Sequence, residues 1–321
     1  MKIELLYFIG MRKAEMPRAI RFLLLCCLPL LAACAAPSAA SDIPTVCLSD
    51  LPPLPPTPPA NVMPLRVAVA AVISPRGNVE SYTPLLNYLA NQLGRPVEMV
   101  QRRTYQEIND LLRDGQVDVA FVCTSAYVTG KQDFNMQLLA APQVNGAMVY
   151  YSHLIVPATS PAASMADLRG KVFAFTDPMS FSGRVYPTSL VRELGAEPEV
   201  FFGRTFFTYS HDNAIRAVAD GLADAAAVDS LVYDFAVARD PSLAARVKVI
   251  HRSPPFGIPP VVVRPDTRPQ LRAELHDLLL GLQEAPEGPA ILAALGFDRF
   301  VPIEDSAYDS VRRLTGDTAT R

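Results

Sequence analysis

The strongest constraint on this chain is a pattern that it contains twice. Asp114-Gly115-x-x-Asp118-x-Ala120-x-Val122 recurs as Asp220-Gly221-x-x-Asp224-x-Ala226-x-Val228, about a hundred positions further on. Each copy follows a helical stretch that opens on a hydroxyl residue ten positions before its first aspartate, Thr104 and Ser210. Tyr105 and His211 therefore hold matching places. Two similar helix-turn-strand units imply two lobes of related build. The alternative is a chance likeness between turns rich in Ala, Asp and Gly.

The elements around the pattern alternate. Arg66–Ile73 reads as a buried strand followed by Ser-Pro-Arg-Gly-Asn turn chemistry. Leu85, Leu86, Leu89 and Leu93 then place a helix over Tyr82–Leu93, which Gly94 stops. Val97–Gln101 is the next strand and Tyr105–Leu112 the next helix; Lys171–Phe175 is a strand, and Gln270–Leu282 and Gly288–Leu295 are later helices. Strands alternating with helices argue for an α/β fold with a largely parallel sheet.

The N-terminus carries a different signal. Phe22–Ala33 is a short apolar run behind Arg18 and Arg21, of the length of a secretory core and too short to span a bilayer. Residues 1–33 are expected to be a signal peptide, with Met11 or Met16 as the alternative start. Leu31-Ala32-Ala33-Cys34 resembles a bacterial lipobox, which implies lipid on Cys34; the alternative is an ordinary signal peptide with a chance cysteine. Residues 34–64 read as a tether, because proline at the density of Leu51–Pro59 favours extended backbone. Ala35 is not the aspartate associated with inner-membrane retention, which points to the outer membrane if the host has one.

The remaining chain is large enough for two lobes with ample core. A formal charge of −3 with no basic run excludes a nucleic-acid face. There is no Gly-x-Ser-x-Gly elbow, no His-x-x-x-His and no Cys/His cluster, so neither a hydrolase nor a metal or other cofactor is expected. Of five cysteines, Cys47 falls in the tether and Cys123 in the folded part, so a structural disulfide is not indicated.

The richest polar segment is Thr176-Asp-Pro-Met-Ser180-Phe181-Ser182-Gly183-Arg184, directly after a strand. Free N–H groups and the positive end of a helix dipole suit an oxyanion, and Gly183 permits close approach. The plainer alternative is an N-cap. Tyr105 and His211, at two other helix starts, both carry hydrogen-bond donors.

Taken in order, these pieces resemble the phosphate/phosphite/phosphonate-binding proteins of ABC transporters, the PhnD-like family. They are Thr104-Tyr105, Asp118-Val-Ala-Phe, Tyr150-Tyr151-Ser-His-Leu-Ile-Val, Asp177-Pro-x-Ser180-x-Ser182-Gly183 and Ser210-His211. The resemblance implies a type II periplasmic-binding-protein fold: α/β, two-lobed, each lobe a mixed sheet flanked by helices and hinged around a central cleft. The expected boundaries are residues 65–152 for the first lobe, 153–256 for the second and 257–321 for the return, with crossings near His153–Val156 and Pro255–Val263. Carried over, the anion contacts fall on Tyr105, Tyr150, Ser180, Phe181, Ser182 and His211, where Phe181 replaces a usual threonine and keeps only its N–H. Arg184, Tyr127 and Cys123 are further candidates near the cleft. Relatives that take aminoalkyl phosphonates supply acids at two places that by register are Leu231 and Pro259, so a ligand without an amine is implied.

The expected function is non-enzymatic: a monomeric, exported lipoprotein captures phosphite, phosphate or a short alkylphosphonate and delivers it to an ABC permease. Two alternatives stay open. One is a sensor of the same fold that signals to a membrane kinase or cyclase, with arsenite on Cys123 as one version; the other is a hydrolase that uses the Ser/His content of the site.

Overall fold

The computed structural model describes residues 62–319. The apolar run 22–33, Cys34, Cys47 and the proline-rich segment 51–59 lie outside the described residues. Among those described, no helix is long and apolar enough to cross a membrane.

The strands in chain order are β1 (Leu65–Val69), β2 (Val97–Val100), β3 (Val119–Phe121), β4 (Gln137–Gln143), β5 (Val149–Tyr150), β6 (Ser152–Pro157) and β7 (Val172–Phe175). They continue with β8 (Arg204–Phe207), β9 (Ala225–Asp229), β10 (Val247–Arg252), β11 (Phe256–Gly257), β12 (Val261–Val263) and β13 (Arg299–Val301). Two sheets result, ordered β13-β4-β12-β3-β1-β2 and β10-β6-β9-β7-β8. Each has a parallel trio, β2-β1-β3 or β8-β7-β9, flanked by an antiparallel strand, β12 or β6. The repeated sequence thus lies at equivalent places in two sheets of like topology, each a lobe of the type II periplasmic-binding-protein kind.

The repeat has a physical basis in every fixed residue. Thr104 and Ser210 cap their helices, accepting the N–H of Glu107 and of Asn213. Tyr105–Arg113 and His211–Ala219 then end on Asp114 and Asp220, each followed by a glycine in the left-handed region, Gly115 at φ 71° and Gly221 at φ 73°. Asp118 accepts the N–H of Arg66 at 2.9 Å, and Asp224 accepts that of Val172 at 2.8 Å. In each lobe the second aspartate therefore closes an orphan donor at the mouth of the central strand.

The central strands β1, β3, β7 and β9 are largely buried on both faces, as a sheet sandwiched by helices requires. Leu65, Val67 and Val69 point into one apolar cluster while Ala68 and Ala70 join another; Phe173 and Phe175 face away from Ala174 in the same way. One cluster is shared between lobes: Tyr105, Cys123 and Tyr127 of the first meet Phe181 and Tyr186 of the second.

The chain passes between sheets at β5 and returns at β11. These two segments pair antiparallel, Phe256 opposite Tyr150, and form a two-stranded ribbon joining the lobes. Beside it, Ser152 N–H donates to Ser253 Oγ at 2.8 Å and Ser253 N–H to Ser152 O at 3.0 Å.

Element limits depart from expectation near the N-terminal end. The first strand stops at Val69, and the helix expected from Tyr82 runs from Pro75 to Leu93. Proline at the first helical position lacks an N–H that the helix would not have used, so the Ser-Pro-Arg-Gly-Asn segment starts the helix rather than turning. The helix expected over Gln270–Leu282 spans Pro269–Leu280, and Leu282–Glu284 forms a separate short turn.

Candidate functional site

The site is built around the turn that leaves β7. Asp177 folds it, accepting the N–H of Met179 at 2.7 Å on one oxygen. Ser180 caps the next turn of backbone, its Oγ accepting the Gly183 N–H at 3.1 Å. A single wide π-turn, Phe181–Val185, then opens the helix Tyr186–Glu193. Gly183 is required here because a Cβ would lie 1.9 Å from Thr176 Oγ1.

His211 enters from the start of its helix. Its Nδ1 accepts the backbone N–H of Asp229 at 2.9 Å, which fixes the neutral ring with its proton on Nε2. Burial holds its pKa at about 3, so the ring stays neutral. Nε2 lies 3.3 Å from Ser180 Oγ. With Gly183 N–H and His211 Nε2–H both directed at Ser180 Oγ, its hydroxyl proton is free to donate elsewhere.

Three further hydroxyls face this corner. Tyr105 comes from the first lobe, Tyr150 from the hinge ribbon and Ser182 from the π-turn; their side-chain oxygens are buried and have no hydrogen-bond partner in the protein. Thr176 Oγ1, below Gly183, is in the same condition. Burial drives both tyrosines well above their ordinary pKa, so each remains a donor. The hydroxyls of Thr124 and Ser182 lie beside that of Tyr150 and partly offset this rise.

Cys123 and Asp229 complete the surround. Burial raises the Cys123 thiol, and the N–H groups of Phe181 and Ser125 pull it partly back. Burial also pushes Asp229 up to about 7, although it accepts the Leu231 N–H at 2.7 Å. The donors gathered here are neutral side chains and backbone dipoles, which suit a small anion taken out of water.

Of the candidates, Tyr105, Tyr150, Ser180, Ser182, His211, the Phe181 N–H and Cys123 come together. The Phe181 ring turns away and packs edge-on against Phe256, centroids 4.5 Å apart. Arg184 is not brought in: its guanidinium sits 4.2 Å over the Phe175 ring and pairs with Glu199 at 3.1 Å. Tyr127 is not either, since its hydroxyl donates to Asp305. Asp229, Thr124, Thr176 and Asp177 are not singled out as contacts by the sequence. For Asp229 a signal exists: it follows Val228 as Cys123 follows Val122, so the repeat extended by one residue pairs the two.

Contacts between the lobes close over this cluster. Tyr105 N–H donates to Asp177 Oδ2 at 3.1 Å, His211 N–H to Val72 O at 2.9 Å and Ser74 N–H to Asp212 Oδ1 at 2.9 Å. The Arg103 guanidinium lies 3.8 Å over the Tyr209 ring.

Comparison with known proteins leads to the same place. A family profile described as ABC transporter, phosphonate, periplasmic substrate-binding protein matches residues 67–308. The chain is 34% identical over 163 residues to the phosphate-import protein PhnD of Mycolicibacterium smegmatis, covering 47% of this chain and 51% of that protein. It is 26% identical over 255 residues to the phosphonates-binding periplasmic protein of Escherichia coli K12, covering 78% and 75% respectively. The match thus spans about half the length of the first relative and three quarters of the second. Among solved structures, a binding-protein component of a Pseudomonas aeruginosa ABC phosphonate transporter superposes with a TM-score of 0.75 at 23% identity, over 79% of this chain and 86% of that one. A Prochlorococcus marinus protein in complex with methylphosphonate gives 0.73 at 19% identity, over 80% and 98%. These two carry the fold alone, whereas the profile covers most of the chain. The chain belongs to the family of periplasmic substrate-binding proteins of phosphonate ABC transporters.

Proposed function

We propose that the chain captures a small phosphorus oxyanion without an amine (phosphite, phosphate or a short alkylphosphonate) and hands it to an ABC permease. The observation that carries this is the convergence of partnerless buried hydroxyls, Tyr105, Tyr150 and Ser182, from one lobe, the hinge and the other lobe. A buried polar atom left unpaired costs about 1–3 kcal/mol, and one guest with several acceptor oxygens satisfies all three. The Ser180 hydroxyl, which accepts from His211 Nε2–H and from Gly183 N–H, adds a further donor.

Binding replaces the anion's hydration with fixed dipoles, and the lobes close about the β5–β11 ribbon. No step breaks a bond: Ser180 lies near an imidazole, but that imidazole is an Nε2–H donor toward it and cannot take its proton. The Asp229 carboxyl meets the guest in either charge state, donating when protonated and accepting the P–OH of a monoprotonated ligand when ionised.

A thermal-shift and titration panel of phosphite, phosphate, methylphosphonate, aminoethylphosphonate, sulfate and arsenite tests the reading. A phosphorus anion without an amine raises the melting temperature most. Ser182→Ala, which removes a buried donor, and His211→Ala, which removes the group that turns the Ser180 hydroxyl toward the guest, each weaken its binding by about tenfold to a hundredfold. Retained affinity in both variants, or phosphate-ester turnover by the pure protein, overturns it. The lipid anchor is tested separately: Cys34→Ala moves the protein from the membrane to the soluble fraction of the envelope.

A further inference from the structure

Beside the hydroxyl cluster lies a cavity of about 110 Å³ between the lobes, walled by Val72, Phe121, Leu231, Phe235 and Pro259. It adjoins the cluster at Asp229. The Val72 carbonyl accepts the His211 N–H, and Asp229, which lines the cavity, holds His211 Nδ1. Leu231 packs against the same group of side chains as Tyr105 and Tyr150.

The wall is not wholly apolar. Asn78 spends its amide N–H groups on Ala70 O and Gln101 Oε1, both at 3.2 Å, and its Oδ1 has no partner. Ser81 Oγ, one helical turn on, has none either. Both residues line the cavity and are nearly fully buried, at 1% and 3% exposure. An unpaired buried carbonyl oxygen calls for a donor.

We propose that this cavity receives the substituent of the bound phosphonate, a neutral chain of about four heavy atoms that ends in a hydroxyl, an assignment that rests on the phosphorus-anion reading above. The size follows because an apolar cavity of roughly 150 Å³ holds one benzene, so the smaller volume here suits about four heavy atoms. The hydroxyl follows from Asn78 Oδ1 and Ser81 Oγ. Neutrality follows from Leu231 and Pro259, which carry no charge to pair with an ammonium; Asp229, the one carboxyl in the wall among the described residues, accepts the Leu231 N–H and is the group that meets the P–OH of the anion in the reading above.

Titration calorimetry on the whole folded protein with methyl-, propyl-, 3-hydroxypropyl- and 3-aminopropylphosphonate tests this. Each buried methylene tightens binding about fourfold, so propyl binds about fifteenfold tighter than methyl. Hydroxypropyl binds about fivefold tighter again, and aminopropyl binds more weakly than propyl. Ser81→Leu fills the cavity from the first lobe and Leu231→Phe from the second. Either variant brings propyl and hydroxypropyl down to the methyl level and leaves methylphosphonate within about twofold, with thermal melts confirming the fold. If Ser81→Leu does not fold, Leu231→Phe carries the test. Equal affinity for all four ligands overturns the assignment while leaving the anion site standing, because water in the cavity gives no dependence on the substituent. Tightest binding of the aminopropyl compound also overturns it and identifies Asp229 as a counter-ion. Failure of every phosphonate to bind removes the phosphorus-anion reading and this assignment together.

Discussion

At the scale of single residues, the site is governed by which groups are kept uncharged. His211 and Asp229 are joined through the Asp229 N–H, and burial moves their titrations in opposite directions. For His211, burial lowers the folded pKa from 6.5 to about 3. The unfolded chain therefore binds the extra proton first, and stability is lost as pH falls from 6.5 toward 3. For Asp229 the folded pKa is raised from 3.8 to about 7. Its contribution is fully present below 3.8 and is lost as pH rises to about 7, because the unfolded carboxyl ionises first. Asp229→Asn keeps a good helix cap and removes only that titration. Denaturant unfolding at pH 5 and pH 8 is expected to show the variant gaining on the wild type by about 1–3 kcal/mol at the higher pH. A gain that does not depend on pH would mean that Asp229 is ionised in the fold throughout.

At the scale of elements, the most informative segment is the turn 176–183. Its order of residues is dictated by the backbone: Asp177 closes on Met179, Ser180 on Gly183, and Gly183 lies against Thr176 where no side chain fits. Gly183→Ala must therefore push the π-turn away from Thr176. The expected result is a loss of about 1–3 kcal/mol in stability and at least about tenfold in anion affinity, read by melting and titration. Wild-type affinity in this variant would show that the turn does not hold the anion. Such segments are legible in the sequence because each residue answers a local backbone demand; the same holds for the Thr104 and Ser210 caps and the Asp-Gly helix ends. The parts that are not legible depend on partners far along the chain. Arg184 sits one residue from Gly183, yet Phe175 and Glu199 draw it off. Tyr127 is held by Asp305, from the far end of the chain. The start of the helix at Pro75 is hidden because its Ser-Pro-Arg-Gly-Asn opening has turn chemistry and helix-start chemistry at once. The cavity wall draws on residues from Val69 to Phe297, and no local pattern announces that.

At the scale of the whole molecule, the duplicated helices act on each other across the cleft. Their first residues are Tyr105 and His211, and each donates its backbone N–H to the opposite lobe, to Asp177 and to Val72. The same two side chains face the anion corner, so closing the lobes and assembling the donors are one movement. A ligand that binds only the closed arrangement shifts the balance toward it, and any contact that favours closure raises the affinity for every ligand alike. Asp212 isolates that effect. Its carboxylate accepts the Ser74 N–H from the other lobe at 2.9 Å and makes no hydrogen bond to the hydroxyl cluster. Asp212→Ala removes about 0.5–1.5 kcal/mol of closing free energy, which weakens phosphite, phosphate and methylphosphonate by the same factor, up to about tenfold. Small-angle scattering of the ligand-free variant should show a larger radius of gyration than the wild type, and saturating ligand should bring the two together. Ser182→Ala, in contrast, weakens each anion by its own factor and leaves the ligand-free radius unchanged. A ligand-selective loss from Asp212→Ala would mean that lobe closure and anion recognition are separate events, and that the donors at the two helix starts are already assembled in the open protein.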